Sequence, residues 1–494
     1  MTAEKERECR LVHPIPPVYD RNARILILGS FPSVKSREAG FYYGHPQNRF
    51  WKVTSAVFGE DTPQTVPEKK DFLLRNHIAL WDVIGSCDIT GSSDSGIKNV
   101  TANDLSVILD KAMCECGSNH AEVTYSTDYH LLDSLCKPGQ KVDNLYHYLP
   151  FLPIDEADEQ VTCGEGAVPI EEWEFLSRYA KDNYGIDCKV VVARNDLNGG
   201  SGTFKDIAAS LAATLFKKHG VKEYCLASTG NAATAYATYL AKAGVKFDIF
   251  APCDMYMESQ EAIRSVGQNL VVSEGGYGQA KAEAADFHKN QKVMISAGNI
   301  DPIRVEAKKT LVFECMRQLG RIPDVYMQAV AGGTSPIAFE KGMREIADAY
   351  PQYKMPRMLL VQQDTCDPMV QAWEWAIENN FPQGWNKHFP TVIPKTSISI
   401  LTAGTPGMYP LVGPIVKNSG GSFLRVKEEG LERYGRMVKD ATGVYMGPAS
   451  VVCIAGFFKA LEEKKLKSGD LILLNTGEGC ERALWFKKAI DDCK

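Results

Sequence analysis

The sequence predicts an α/β fold built on a mostly parallel sheet for the greater part of the 494-residue chain. From about Lys189 onward, short apolar segments typical of buried strands alternate with amphipathic segments long enough for helices, such as FKDIAASLAATLFKKHG and NAATAYATYLAKAG. Such alternation is typical of parallel sheets with helical crossovers. The predicted strands are VVVA (190–193), EYCLAS (223–228), FDIFAP (247–252), KVMISA (292–297), DVYMQAV (324–330), RMLLVQ (357–362) and DLILLN (470–475).

Composition and charge restrict the class of protein. Hydrophobic residues make up 44% and charged residues 23% of the chain, which is ordinary for a globular protein with a large core. No apolar run approaches the ~18–20 residues that span a bilayer, and the N-terminal segment MTAEKERECR lacks the apolar region of a signal peptide. We therefore expect a cytoplasmic protein with no membrane partner and with its 14 cysteines reduced. The net charge of −6 predicts no general attraction to nucleic acid.

The chain is predicted to have three parts. Residues 1–113 contain an apolar strand that ends in glycine (RILILG, 24–29) and a helix around Phe50–Phe58. The pattern then breaks at AMCECGS, and residues 114–188 are predicted to form a polar arm over a neighbouring domain. The strand–helix alternation occupies the third part, residues 189–494.

A ligand site is expected where strands of a parallel sheet end, because the loops there lead into helix N-termini. Three loops fall at such positions: GGSGTFKDIAAS (199–210), ASTGNAATAYA (227–237) and AVAGGTSPIAFEKG (329–342). The first places Lys205 at a helix entrance, and the third offers backbone N–H groups and hydroxyls that suit a phosphate. The sequence lacks the fingerprints of dinucleotide-binding and P-loop proteins.

Together these loops suit pyridoxal phosphate. Lys205 would form the Schiff base, which needs an amine with a lowered pKa, and Asn231 could hydrogen-bond the phenolic oxygen of the ring. Thr476, in LLNTGEG (473–479), could place its hydroxyl at the pyridine nitrogen. A hydroxyl there would leave the nitrogen mostly unprotonated, which favours elimination and replacement over transamination. The phosphate is expected on four residues of the third loop: Gly332, Gly333, Thr334 and Ser335.

The motifs GSGTFKD, ASTGNAATAYATYLAKAGV, QAVAGGTSP and NTGEG resemble the successive signatures of fold-type II pyridoxal-phosphate enzymes of the threonine synthase group. GPASVVCIAGFFKALE and DLILLN also resemble cysteate synthase. The resemblance covers residues 114–494 and implies a tryptophan synthase β-like fold with two α/β subdomains, Lys205 as Schiff-base residue and proton shuttle, and a homodimer. It implies a lyase or synthase of amino-acid biosynthesis that removes phosphate from a small-molecule amino-acid substrate. The replacing nucleophile would be water, giving threonine, or sulfite, giving cysteate.

The resemblance also suggests substrate contacts. Ser228 and Thr229 belong to the STGN motif. Asn299 and Arg304, in SAGNIDPIRVEAKKT (296–310), could bind a carboxylate or a phosphate, or could simply begin a solvated helix.

Two departures from the threonine synthase pattern concern the substrate rather than the cofactor. The phosphate loop reads Gly333-Thr334-Ser335 where a Gly-Asn pair is usual, and Ile207 stands where the family motif has arginine. The CECG motif (114–117) lacks the two-residue spacer of paired zinc ligands, so no metal is expected.

Residues 18–112 resemble the hypoxanthine/uracil-DNA glycosylase branch of the uracil-DNA glycosylase superfamily. The resemblance rests on ILILGSFPSVKSREAGFYYGHPQNRFWKV and IALWDVIGSCDITGSSDSGIKNVTANDL. It implies a partial α/β segment of that fold, with Asn48 as the catalytic residue of a flipped-base pocket. The expected pocket residues are Phe31, Tyr43 and Phe50, with Gly29 and Ser30 in the loop that approaches the sugar-phosphate.

The glycosylase pattern has no counterpart after Leu109, and the basic and acidic residues of 1–113 balance, so no basic footprint marks a DNA partner. We therefore expect a fusion protein whose glycosylase part is truncated and inactive. Two alternatives remain open at this point. The segment could act as a DNA glycosylase on hypoxanthine or uracil through Asn48, or it could survive as a docking surface.

Overall fold

The computed structural model describes residues 10–20, 23–89, 96–103 and 122–493. Contacts divide the chain into two units, Met1–His120 and Ala121–Lys494, which are described separately. The predicted boundary between residues 113 and 114 and the CECG motif lie outside the described residues. Within the described ranges, no helix is both long and apolar enough to cross a membrane, and every cysteine is a free thiol.

The described part of the first unit contains two small sheets and three helices. In one sheet, β2 (Ile25–Gly29) runs parallel to β3 (Ile78–Asp82). In the other, β4 (Ile84–Asp88) pairs antiparallel with both β1 (Arg10–Val12) and β5 (Lys98–Ala102). The helices are Val34–Ala39, Phe50–Phe58 and Val66–Arg75. The predicted strand at 24–29 and the predicted helix are therefore confirmed.

The core of the first unit lies between β3 and its helices. All five residues of β3 are buried, and Trp51, Phe72 and Leu73 pack in the same cluster. The helix Val66–Arg75 begins with a capping box, in which Thr65 and Glu68 satisfy each other's backbone N–H groups.

The main sheet of the second unit consists of β6 (Ile170–Glu172), β7 (Lys189–Ala193), β12 (Val325–Ala329), β13 (Arg357–Gln363), β14 (Ser422–Val426) and β15 (Leu471–Asn475). Its strand order is β14-β13-β12-β15-β7-β6. Every pair in the sheet is parallel except β6 with β7, which is antiparallel at one edge.

Helices cover both faces of this sheet, because alternate residues of a strand point to opposite faces. Val190 and Val192 enter one core, and Val191 and Ala193 enter the other. The first core includes residues of Glu174–Tyr184, Leu431–Thr442, Pro448–Glu462 and Leu484–Asp492. The second includes residues of Thr310–Leu319, Thr334–Ile346, Pro368–Glu378 and Tyr409–Asn418.

A second, smaller sheet is parallel throughout and has the order β10-β9-β8-β11, formed by β8 (Glu223–Ala227), β9 (Lys246–Ala251), β10 (Asn269–Val272) and β11 (Met294–Ile295). Its helices are Lys205–Lys218, Asn231–Ala243, Met257–Ser265 and Tyr277–Gln291, and the short helix Pro302–Lys308 follows β11. Alanines at 209, 212, 213, 233, 235 and 237 are buried in its core, which lets the first two helices pack closely.

The segment between residue 122 and β6 packs on the second unit through tyrosines. The Tyr146 hydroxyl lies 2.8 Å from Ser210 Oγ and 2.6 Å from Thr214 Oγ1, and the Tyr148 hydroxyl donates to Glu314 Oε1 at 2.6 Å. Short helical turns at Tyr129–Leu131 and Leu145–Phe151 and the helix Leu132–Leu135 shape this segment.

Each predicted strand of the second unit is present, although β11 is shorter than KVMISA suggested. Three further strands were missed for identifiable reasons. β6 has the polar sequence IEE, β10 is a four-residue strand with a mostly exposed surface, and β14 carries Arg425 within its apolar run.

Candidate active site

A cavity of about 160 Å³ lies where loops of the two sheets meet. Its wall comes from the start of the helix Lys205–Lys218 and from the loops after β8, β11, β12 and β15. Ten residues selected from the sequence line it: Lys205, Ser228, Thr229, Asn231, Asn299, Arg304, Gly332, Gly333, Thr334 and Ser335. The structure thus brings together side chains that are far apart in the sequence.

The loop before Lys205 is held by a buried carboxylate. Asp206 Oδ1 accepts from the Ser201 backbone N–H and Oδ2 accepts from that of Thr203, both at 2.9 Å. The Phe204 backbone N–H donates to the Gly477 carbonyl at 3.1 Å. The small residues of this loop therefore fix the direction in which the helix begins, and with it the position of Lys205.

Lys205 has the electrostatic environment of a nucleophilic amine. Burial, and after it the Arg304 guanidinium, lower its pKa from 10.5 to about 7, and Glu478 acts in the opposite direction. A pKa near neutrality leaves a substantial fraction of the amine uncharged, which is the form that attacks a carbonyl carbon.

The glycine loop between β12 and its helix has the features of a phosphate cradle. A Cβ at Gly332 would overlap the Asn299 amide, and a Cβ at Gly333, where φ is +83°, would lie 2.6 Å from Val412 Cγ2. The helix Thr334–Ile346 has no side-chain N-cap, and the buried hydroxyl of Ser335 has no hydrogen-bond partner among the described residues. A phosphate would satisfy these donors, so the residues present fit pyridoxal phosphate.

Asn231 lines the cavity and is held in place by a carboxylate. Its side-chain Nδ2 donates to Glu478 Oε2 at 3.0 Å, and Glu478 Oε1 accepts from the Ala449 backbone N–H at 3.1 Å. Burial raises the pKa of Glu478 from 4.5 to about 7. Glu478 was missed from the sequence, although it stands within the NTGEG motif.

Thr476 is not among the residues that line the cavity. Its hydroxyl donates to the Ala193 carbonyl at 2.6 Å, and the residue is fully buried and does not line the cavity. The hydroxyl points into the junction of β15 and β7 because the strand alternation turns it away from the site. The hydroxyl that was predicted to face the pyridine nitrogen therefore has another partner in this structure.

Arg304 is buried rather than at a solvated helix start. Its Nη2 donates to Ser296 Oγ at 2.9 Å, its Nε lies 3.8 Å from Asp301 Oδ2, and its guanidinium stands 5.2 Å from the Tyr236 ring centroid. Asn299 Oδ1 accepts from Thr334 Oγ1 at 3.1 Å, which connects the Arg304 segment to the glycine loop.

Lys308 is a second lysine of the cavity that sequence reasoning missed. Its Nζ lies 4.4 Å from the Phe204 ring centroid, and Lys205 Nζ lies 4.7 Å from the same centroid. In the sequence, Lys308 and Lys309 read as an ordinary charged pair within EAKKT, with no signal that distinguishes one from the other.

The described part of the first unit places the residues predicted for a base pocket in local contacts. Asn48 is exposed, and its Oδ1 accepts from the Phe50 backbone N–H at 2.9 Å at the start of a helix. The Tyr43 and Phe50 rings stack on each other with centroids 3.9 Å apart, and Phe31 is buried with its ring edge-on to that of His13. Gly29 and Ser30 accept backbone hydrogen bonds from Val83 and Ile84, respectively.

The family model of pyridoxal-phosphate dependent enzymes matches residues 161–477, more than half of the chain. Among curated relatives, the threonine synthase of Methanocaldococcus jannaschii is 26% identical over 377 residues, which cover 74% of this chain and 87% of that protein. The threonine synthase of Mycobacterium bovis is 27% identical over 338 residues, covering 67% and 86%, respectively.

Two solved structures share the fold. The processed form of threonine deaminase isoform 2 from Solanum lycopersicum aligns with a TM-score of 0.52 at 18% identity, covering 75% of this chain and 99% of that one. Diaminopropionate ammonia lyase from Escherichia coli aligns with a TM-score of 0.53 at 15% identity, covering 67% and 88%.

Proposed function

The chain belongs to the family of pyridoxal-phosphate dependent enzymes, and from this premise we propose that it catalyses elimination and replacement on a phosphorylated amino acid in the manner of a threonine synthase. One observation carries the proposal. Lys205, whose pKa is lowered to about 7, shares a single cavity with the glycine loop that suits a phosphate. The matches to the threonine synthases cover most of the length of those relatives and support the class of substrate.

The residues of the cavity have distinct roles in this proposal. Lys205 holds the cofactor, and Gly332, Gly333, Thr334 and Ser335 hold its phosphate. When bound, pyridoxal phosphate supplies a sink for the electrons released at the substrate α-carbon. The Lys205 Nζ, which titrates near neutrality, takes and returns the proton at that carbon.

Substrate binding is assigned to cavity residues that follow β8 and β11. Ser228 and Thr229 lie at the end of β8, next to the start of the helix that carries Asn231, where they can hold the α-carboxylate. Arg304, buried and permanently charged, binds the acidic group of the substrate side chain together with Asn299. Water is the proposed replacing nucleophile, in line with the threonine synthase relatives, and sulfite is the alternative that the assay distinguishes.

The first experiment tests cofactor attachment. The purified protein is incubated with pyridoxal phosphate, reduced with borohydride and digested, and the modified peptide is identified by mass spectrometry. We expect the adduct on Lys205, its loss in Lys205→Ala, and its retention in Lys354→Ala, which removes an exposed lysine far along the chain. An unmodified wild-type protein would contradict the proposal.

The second experiment identifies the reaction. Phosphate release is measured with O-phosphohomoserine and with O-phosphoserine, each with and without sulfite, and the amino-acid product is identified. Release from O-phosphohomoserine with formation of threonine supports the proposal. Release only from O-phosphoserine with sulfite, giving cysteate, assigns the alternative nucleophile.

A further inference from the structure

Lys308 is a buried lysine without a carboxylate partner among the described residues. The residue is 5% exposed, and its Nζ makes no hydrogen bond to an acceptor oxygen and no ion pair within the described part of the chain. The charged groups that act on it are the Lys205 amine and the Arg304 guanidinium, which are both basic. Burial and these two groups lower the pKa of Lys308 well below its ordinary value.

The neighbouring Lys309 is also buried, but it forms two ion pairs. Lys309 Nζ lies 2.7 Å from Glu306 Oε2 and 2.8 Å from Glu345 Oε2. Burial of a lysine without such partners disfavours its charged form. An anion bound in the cavity would supply the partner that the Lys308 amine lacks.

Lys308 and Arg304 stand four residues apart on the helix Pro302–Lys308, a spacing that places both side chains on one face. Both line the cavity. Glu478, the carboxylate of that wall, already accepts from Asn231. Three basic groups therefore share the cavity with one carboxylate. An anion with two charges bound beside Arg304 would favour the protonated form of Lys308 and so gain a second cationic partner.

We propose that Lys308 is a specificity-determining residue that binds, together with Arg304, a doubly charged oxyanion of the phosphate class. The proposal rests on the proposed function and deepens it, because the oxyanion is the acidic substituent of the amino-acid side chain. A substrate without that group leaves the Lys308 amine buried without a partner, so neutral amino acids bind more weakly. A free sulfite nucleophile has the same chemistry and is the second source that the test separates.

The test compares holoenzyme of the wild type, Lys308→Met and Lys308→Arg. Isothermal titration calorimetry measures the Kd for inorganic phosphate, for O-phosphohomoserine and for sulfite in separate titrations. We expect phosphate to bind the wild type, to bind Lys308→Met at least tenfold more weakly, and to retain most of its affinity for Lys308→Arg. If Lys308→Met also binds O-phosphohomoserine more weakly, the site belongs to the substrate. If it binds sulfite more weakly and O-phosphohomoserine equally well, the site belongs to the nucleophile.

A second readout separates this role from a structural one. Methionine fills the space of lysine without a polar amine to bury, so the Tm of the anion-free Lys308→Met holoenzyme should rise. A wild type that binds no phosphate, an unchanged Kd in Lys308→Met, or a loss confined to cofactor affinity would each overturn the inference. Failure of the proposed function is seen separately, as the absence of a borohydride-trapped adduct on Lys205.

Discussion

The side-chain amide of Asn231 donates to Glu478 Oε2 at 3.0 Å and so joins the loop after β8, in the small sheet, to the loop after β15, in the main sheet. Both side chains are buried. The hydrogen bond therefore connects the two halves of the second unit at the cavity where the cofactor is proposed to bind.

Replacement of Asn231 with alanine tests this link. The substitution leaves a buried carboxylate oxygen without its side-chain donor, which should lower the free energy of unfolding of the apoenzyme by about 1–3 kcal/mol. We also expect pyridoxal phosphate to bind about tenfold more weakly, roughly 1.4 kcal/mol, because the two sheets lose a contact that shapes the site. Urea unfolding and a spectroscopic cofactor titration measure the two effects. Unchanged values in both would show that the link contributes nothing.

Glu478 should make the stability of the apoenzyme depend on pH. Its pKa is raised from 4.5 to about 7, so the folded state binds this proton more tightly than the unfolded state does. The stabilisation is complete below pH 4.5 and is lost as the pH rises through 7. Relative to Glu478→Gln, the wild type should lose on the order of 3 kcal/mol across this range. Denaturant unfolding of both proteins at several pH values measures the difference, and parallel pH profiles would contradict the assignment.

Titration of Lys205 should make the free energy of unfolding rise with pH, in contrast to the effect of Glu478. Its pKa is lowered from 10.5 to about 7, so the unfolded state binds the proton more tightly. The contribution to stability is complete above pH 10.5 and is lost as the pH falls through 7. Compared with apo Lys205→Met, the apo wild type should gain on the order of 2 kcal/mol between pH 7 and pH 9. Loss of this gain on addition of pyridoxal phosphate would tie the titration to the lysine that binds the cofactor.

The sequence was sufficient to find the loops of the site because each loop follows an apolar strand whose neighbour in the sheet is parallel. Lys205, Arg304 and the glycine loop come together for this topological reason. Glu478 and Lys308 could not be found in the same way. The partners of Glu478 lie across the sheet boundary. Lys308 and Lys309 are both buried, and they differ in the ion pairs of Lys309 with Glu306 and Glu345, which depend on how the helices pack.

Thr476 shows a different limit of sequence reasoning. Its position after an apolar strand was read correctly, but the direction of its side chain depends on the pleat at the last residue of β15. A shift of one residue decides whether the hydroxyl enters the cavity or the core. In the structure it donates to the Ala193 carbonyl, and the neighbouring residues Asn475 and Gly477 line the cavity instead.

The glycine loop predicts a steric effect at Gly332. An alanine methyl group there would overlap the Asn299 amide, which must then move away from Thr334. We expect Gly332→Ala to weaken the binding of pyridoxal phosphate at least tenfold and to have a smaller effect on the Tm of the apoenzyme. Gly278 is the matched control, because a Cβ at this helical position meets nothing within 4 Å. Equal cofactor affinity in Gly332→Ala and Gly278→Ala would show that the loop does not bind the cofactor.

Substitution by methionine should affect the free energy of unfolding differently at the adjacent lysines 308 and 309. Lys309 is fully buried between the carboxylates of Glu306 and Glu345, and Lys341 Nζ also lies 3.0 Å from Glu306 Oε1. Methionine at position 309 removes one cation from this cluster and leaves buried carboxylates undercompensated. The free energy of unfolding should therefore fall by about 3–5 kcal/mol.

Lys308→Met is the matched comparison, because it removes an equally long side chain from the neighbouring position without breaking an ion pair. Urea unfolding of both apoenzymes measures the contrast directly. A large loss of stability in Lys309→Met, together with no loss in Lys308→Met, is the expected result, because only the first lysine neutralises a carboxylate that the fold has already buried. Equal losses would mean that Lys308 stabilises the fold through packing, which would also remove the basis for its role in anion binding.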